Sequence, residues 1–177
     1  MGEVILVLGG MRSGKTRRAE TLAADFAPVT YVATALADHD DPEMTARITR
    51  HRESRPKDWA TKEVPRDLEA VLPALVAVPG AVVIDCVTLW LTNLILGLGG
   101  GPALDDTEAL ATVERTAKVA RGEATVVWVA NEVGSGVVPE NALARRFADL
   151  QGLANQILAA ASDAVYLCVA GLPLRLK

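Results

Sequence analysis

The sequence predicts an α/β fold of three layers, a mainly parallel sheet with helices on both faces. Three observations carry this. Short runs of apolar, β-branched residues such as "EVILVL", "VTYVAT", "AVVIDCVT" and "ATVVWVA" have the continuous hydrophobicity of strands buried on both faces. Segments of helical periodicity alternate with them, as in βαβ units. A chain of 177 residues, half of them hydrophobic and 23% charged, suits one core-bearing domain, taken here as residues 1–177.

The elements follow in order. Residues 3–8 form the first strand, and a glycine-rich turn leads into the helical "KTRRAETLAADFA". Residues 29–34 read as the second strand. Residues 42–55 suit a charged helix, with Pro42 tolerated in its first turn. "DLEAVLPALVAV" is apolar-periodic, with a disturbance expected at Pro73. Residues 81–88 form the third strand and end near a carboxylate. "LGLGGGP" (96–102) reads as a flexible loop before a helix from about Asp105 to Arg121. Residues 124–130 are the fourth strand, and 143–162 a long amphipathic helix. "DAVYLCVAG" and "LPLRLK" close the sequence as strands, forming a hairpin at the sheet edge.

Composition excludes several functions. Eighteen Lys and Arg against 22 Asp and Glu give a net charge of −4, so no general nucleic-acid binding is expected. Cys86 and Cys168 lie in apolar, strand-like surroundings and read as buried small hydrophobes, not as a disulfide or metal site. The opening "MGEVILVLGG" has no basic leader, and Leu6 stands where a myristoylation signal needs Ser or Thr. The apolar run "CVTLWLTNLILGLGG" falls short of the roughly 20 residues of a membrane span. A cytoplasmic protein without a membrane span is therefore expected.

Residues 9–16, "GGMRSGKT", match G-x-x-x-x-G-K-[ST] between a buried strand and a helix, the context in which this motif binds nucleotide phosphates. Gly9 and Gly14 permit the turn that aims backbone N–H groups at phosphate oxygens, and the following helix offers its positive end. Lys15 can bridge the β- and γ-phosphates, while the Thr16 hydroxyl suits Mg²⁺. Asp85 ends a strand and reads either as the Mg²⁺-side carboxylate or as the N-cap of the helix after it. Asn131 and Glu132 follow the fourth strand at the same sheet edge. Glu132 reads equally well as a base or metal-water ligand and as part of a structural turn.

One segment stands apart. "ARITRHRESRP" sets four arginines around His51, and over 47–57 five basic side chains face one glutamate. Like charges on one helix cost stability, which a bound polyphosphate would offset. Cationic neighbours disfavour imidazolium and leave a neutral nitrogen able to attack phosphorus. The competing reading is a solvated basic face with an incidental histidine. His39, in the polar turn "ADHDDPE", reads as solvated.

Together "GGMRSGKTRRAE", "YVAT", "MTARITRHRESRPKDWATKE", "VVIDCVTLWLTNL", "NEVGSGVVPEN", "LARRFADLQGLANQ" and "VYLCVAGLPLRLK" span nearly the whole sequence. In this order they resemble the bifunctional adenosylcobinamide kinase/adenosylcobinamide-phosphate guanylyltransferase family of cobalamin biosynthesis. The resemblance implies a P-loop NTPase domain of RecA-like fold, assembled as a homotrimer. It implies phosphorylation of adenosylcobinamide from ATP or GTP, then GMP transfer from GTP to the phosphate, giving adenosylcobinamide-GDP and pyrophosphate. In the family a histidine carries the GMP, and the matching position is His51, with Lys15 the second catalytic residue.

The same resemblance places nucleotide contacts on Gly9, Gly10, Met11, Arg12, Ser13, Gly14, Lys15 and Thr16, and on Ala33, Thr34 and Ala35. It adds Arg52, Glu53, Ser54, Glu63 and Asp85. Asp85 departs from members that carry Glu there, so metal and nucleoside roles both stay open for it. No [NT]-K-x-D guanine motif occurs. "VTLWLTNLILGL" suits either subunit contact or core, and "GSGVVPEN" is a candidate corrinoid surface. Two rival functions remain: a plain small-molecule kinase and a non-enzymatic nucleotide switch or assembly ATPase subunit.

Overall fold

The computed structural model describes residues 1–36 and 56–177. Its strands are β1 (Val4–Gly9), β2 (Val29–Ala33), β3 (Ala60–Glu63), β4 (Ala81–Asp85), β5 (Thr125–Asn131), β6 (Ala164–Val169) and β7 (Leu172–Arg175). The described helices are α1 (Lys15–Ala23), α2 (Leu68–Val76), α3 (Val87–Leu96), α4 (Asp106–Val119) and α5 (Ala142–Ala161). The strands form one sheet in the order β3-β2-β4-β5-β1-β6-β7. All neighbours are parallel except β6 and β7, the expected edge hairpin.

The apolar runs become the central strands because both of their faces are covered. Val4, Leu6 and Leu8 face one core with Leu68, Trp90, Val113, Trp128, Ala154 and Leu158, so α2 to α5 cover that side. Ile5 and Val7 face the other core with Ala19 and Ala23 of α1, Tyr31, Val83, Cys86 and Cys168. Both cysteines are buried and free, as expected. The segment "VTLWLTNLILGL" also joins the core: Val87, Trp90, Leu91, Leu94 and Ile95 of α3 are buried.

Three local expectations are corrected. Strand β3, "ATKE", was not anticipated; all four residues are exposed, and β3 pairs only with β2. Helix α2 runs through Pro73, which is on the exposed face, where water can serve a carbonyl that loses its intrahelical donor. The glycine-rich loop after α3 is tied, not loose. The Arg66 guanidinium donates to the carbonyls of Asn93 (2.9 Å), Leu98 (3.3 Å) and Pro102. Gly97 closes α3 with φ 68, a left-handed conformation that glycine adopts without strain.

Candidate active site

The carboxyl ends of β1, β2, β4 and β5 converge on one edge, where open α/β sheets bind ligands. β1 stops at Gly9, and the loop 10–14 delivers the chain to Lys15, the first residue of α1. The loop needs its glycines. A Cβ on Gly9 would run into the Ser13 side chain and stand 2.7 Å from the Cys168 carbonyl. Gly14 has φ 93, and a Cβ there would meet Gly171 Cα at 3.0 Å. Gly171, in the β6–β7 turn, also donates its N–H to the Ser13 carbonyl at 2.9 Å.

Lys15 is buried, and its Nζ donates to the Gly10 carbonyl at 3.1 Å. That bond folds the ammonium back over the loop. Ser13 Oγ is buried with no partner among the described residues. Met11 and Arg12 lie on the exposed rim, with Arg12 at φ 57. The loop therefore presents a cation, a buried hydroxyl and the α1 N-terminus to one small volume, which suits a phosphate chain.

Asp85 faces this loop from β4. Its Oδ2 accepts from Thr16 Oγ1 (3.1 Å) and from the Tyr31 hydroxyl (2.6 Å). The N-cap reading for Asp85 is overturned, because the cap of α3 is Cys86, whose Sγ accepts from Leu89 N–H at 3.5 Å. A hydroxyl and a carboxylate side by side suit Mg²⁺, a hard cation that takes few protein oxygens and completes its shell with phosphate and water. Among the described residues no group of three or more His, Cys, Asp or Glu could hold a metal by itself.

The Ala33–Ala35 stretch is split by the structure. Thr34 is fully buried; its Oγ1 donates to the Cys86 carbonyl and accepts from the Cys86 N–H, both at 2.8 Å. Its N–H donates to the Asp85 carbonyl (3.2 Å), and its carbonyl accepts from Asn93 Nδ2 (2.9 Å). Thr34 thus braces β2 against β4. Ala33 and Ala35 on either side are half-buried. Glu63 sits level with Ala33, and Ala33 with Asp85, so these three form a row across β3, β2 and β4.

β5 lies between β1 and β4 and reaches two residues beyond Asp85, which pairs with Val129. Asn131 N–H donates to Thr88 Oγ1 (2.8 Å), and the Asn131 carbonyl accepts from Asn155 Nδ2 (3.1 Å). Glu132 N–H donates to the Gly9 carbonyl (3.1 Å), and Glu132 Oε1 accepts from Gly134 N–H (2.9 Å). Beyond it Val137 and Val138 are 95% and 73% exposed. His51, Arg52, Glu53, Ser54 and His39 lie outside the described residues.

Sequence reasoning missed Tyr31, Thr88, Asn93, Arg66 and Gly171. Their roles rest on bonds across long stretches of chain, and no local pattern announces them.

Burial, reinforced by the neighbouring Asp85 charge, pushes the Cys86 thiol up to about 12. The thiolate is the reactive form, so native protein at pH 8 should leave Cys86 unlabelled by iodoacetamide, whereas urea-unfolded protein labels. Mass mapping of the Cys86 peptide checks this; labelling at equal rates in both states would contradict it.

The model of a protein family described as cobinamide kinase / cobinamide phosphate guanyltransferase, CobU, matches residues 5–176. The chain belongs to the CobU family. Among its relatives is the bifunctional adenosylcobalamin biosynthesis protein CobU of Salmonella typhimurium, 43% identical over 98% of this chain and 99% of that protein. The CobP protein of the same description from Pseudomonas aeruginosa is 42% identical over 97% of this chain and 96% of its own length. Among solved structures, the ATPase EscN of the enteropathogenic Escherichia coli type III secretion system superposes with a TM-score of 0.58 at 9% identity. That alignment covers 96% of this chain and 43% of EscN. It shows the fold alone. CobU-family membership makes this chain a transferase with the two activities in the family's description. No described helix is long and apolar enough to cross a membrane.

Proposed function

We propose that this CobU-family chain phosphorylates adenosylcobinamide from ATP or GTP, and then transfers GMP from GTP to adenosylcobinamide phosphate through a GMP-His51 intermediate. The observation that carries the reading is the phosphate loop, with buried Lys15 and Ser13 and the Thr16–Asp85 pair on one sheet edge. Ser13 Oγ, buried without a partner among the described residues, fits a site completed by phosphate oxygens.

In the first step Lys15 and the loop N–H groups hold the terminal phosphates, and the substrate hydroxyl attacks the γ-phosphorus. Thr16 and Asp85 would hold Mg²⁺, which supplies neutralisation of phosphate charge. In the second, an imidazole nitrogen of His51 attacks the α-phosphorus of GTP, and the bond to the β-phosphate oxygen breaks to release pyrophosphate. The phosphate of adenosylcobinamide phosphate then attacks the same phosphorus, the N–P bond breaks, and adenosylcobinamide-GDP forms. Arg52 and Ser54 serve as phosphate ligands beside His51. The corrinoid rests on Val137 and Val138, whose exposed side chains follow β5, a neighbour of the strand that leads into the phosphate loop.

Incubation with Mg²⁺ and GTP labelled at the α-phosphate tests the intermediate. Label should stay with denatured protein, be labile to acid and stable to base, and be absent from His51→Ala. Adenosylcobinamide phosphate should discharge it. No retained label under conditions of confirmed GTP binding would remove His51 as nucleophile and leave a simple kinase.

A further inference from the structure

The kinase step needs a group to take the proton from the attacking hydroxyl, and the residues holding phosphate do not supply one. Lys15 is a cation, and the Asp85 carboxylate already accepts two hydroxyl donors at one oxygen. Glu63 stands on β3, at the far edge of the sheet, with β2, β4 and β5 between it and β1. Glu132 is placed differently. It leaves β5, the strand between the phosphate loop and Asp85, and its N–H is bound to the carbonyl of Gly9. The next carbonyl, that of Gly10, holds Lys15 Nζ. The backbone of Glu132 is thus bonded to Gly9, the neighbour of the residue that holds the lysine ammonium.

The carboxylate is also held. Oε1 accepts from Gly134 N–H at 2.9 Å, while Oε2 takes no hydrogen bond from any described residue. One oxygen fixes the side chain and the other is open to a substrate. The two sequence readings of Glu132, turn and base, are therefore compatible.

We propose that Glu132 is the general base of cobinamide phosphorylation, an inference that rests on the kinase activity assigned above. The Glu132 carboxylate takes the hydroxyl proton as that oxygen bonds to the γ-phosphorus. The bond from γ-phosphorus to the β-phosphate bridging oxygen breaks, the nucleoside diphosphate leaves, and the proton later passes to water.

Two substitutions test this in the full chain, with cobinamide and ATP as substrates. Glu132→Gln keeps a carbonyl oxygen to accept from Gly134 N–H but cannot take a proton. Glu132→Ala loses both. A base role predicts that kcat for phosphorylation falls about 100-fold in each, with the KM for ATP nearly unchanged. A purely structural role predicts a normal Gln variant beside a defective Ala variant, and that outcome overturns the proposal. Wild-type protein that binds ATP yet never phosphorylates cobinamide would instead overturn the kinase reading, and Glu132 with it.

Discussion

Asp85→Asn should lower both nucleotide-dependent activities about 100- to 1000-fold while leaving the protein folded. The substitution conserves shape. Asn Oδ1 can still accept from the Tyr31 hydroxyl and from Thr16 Oγ1, so the bonds that fix this side chain persist. What goes is the charge, and with it the attraction for a divalent cation between Thr16 and the phosphates. The Mg²⁺ concentration for half-maximal activity should therefore rise, and the thermal midpoint should barely move. Activity within about tenfold of wild type at the same Mg²⁺ would assign Asp85 to the nucleoside instead.

Trp90→Ala should carry the largest stability cost among single truncations. Trp90 is fully buried in α3 among Leu68, Leu94 and the neighbouring core. Removing a buried indole costs about 3–5 kcal/mol, against a total stability of about 5–15 kcal/mol. The indole N–H also donates to the Arg66 carbonyl at 2.6 Å, and Arg66 ties down the loop after α3. Trp90→Phe keeps most of the volume but not the donor, and should cost clearly less than Ala. Urea unfolding of the three proteins measures the difference; equal midpoints for wild type and Ala would mean that the core repacks around the void.

The long buried strands and the phosphate loop were legible because their signals are local: continuous apolar runs, and glycines at fixed spacing before Lys15. The carboxylate of Asp85 was legible by position, but not the choice between its two roles. Cysteine is an uncommon helix cap, so an aspartate one residue earlier competes well for that place in sequence, and only the Cys86 Sγ contact removes the cap reading. β3 was hidden because an edge strand with four exposed residues needs no apolar face. Pro73 misled because proline breaks a helix only where the lost hydrogen bond cannot be replaced. The glycines of 97–101 suggested mobility, and nothing in their own sequence points to Arg66, some thirty residues earlier, as the side chain that holds them. Thr34 was expected only as a nucleotide contact, and its bonds to Cys86, which also make it a brace, have no local signal in the sequence.

The clasp between Ser13 and Gly171 bears on how the protein is made. β1 emerges before both of its partners, β5 and β6, and its Val4 N–H waits for Asp163, 159 positions later. The phosphate loop is translated long before the β6–β7 turn that frames it. Until β5 is made its apolar strand has no strand partner, which places the nascent chain in the care of whatever shields hydrophobic segments at the ribosome. The frame of the phosphate loop is consequently complete only after the β6–β7 turn has been made.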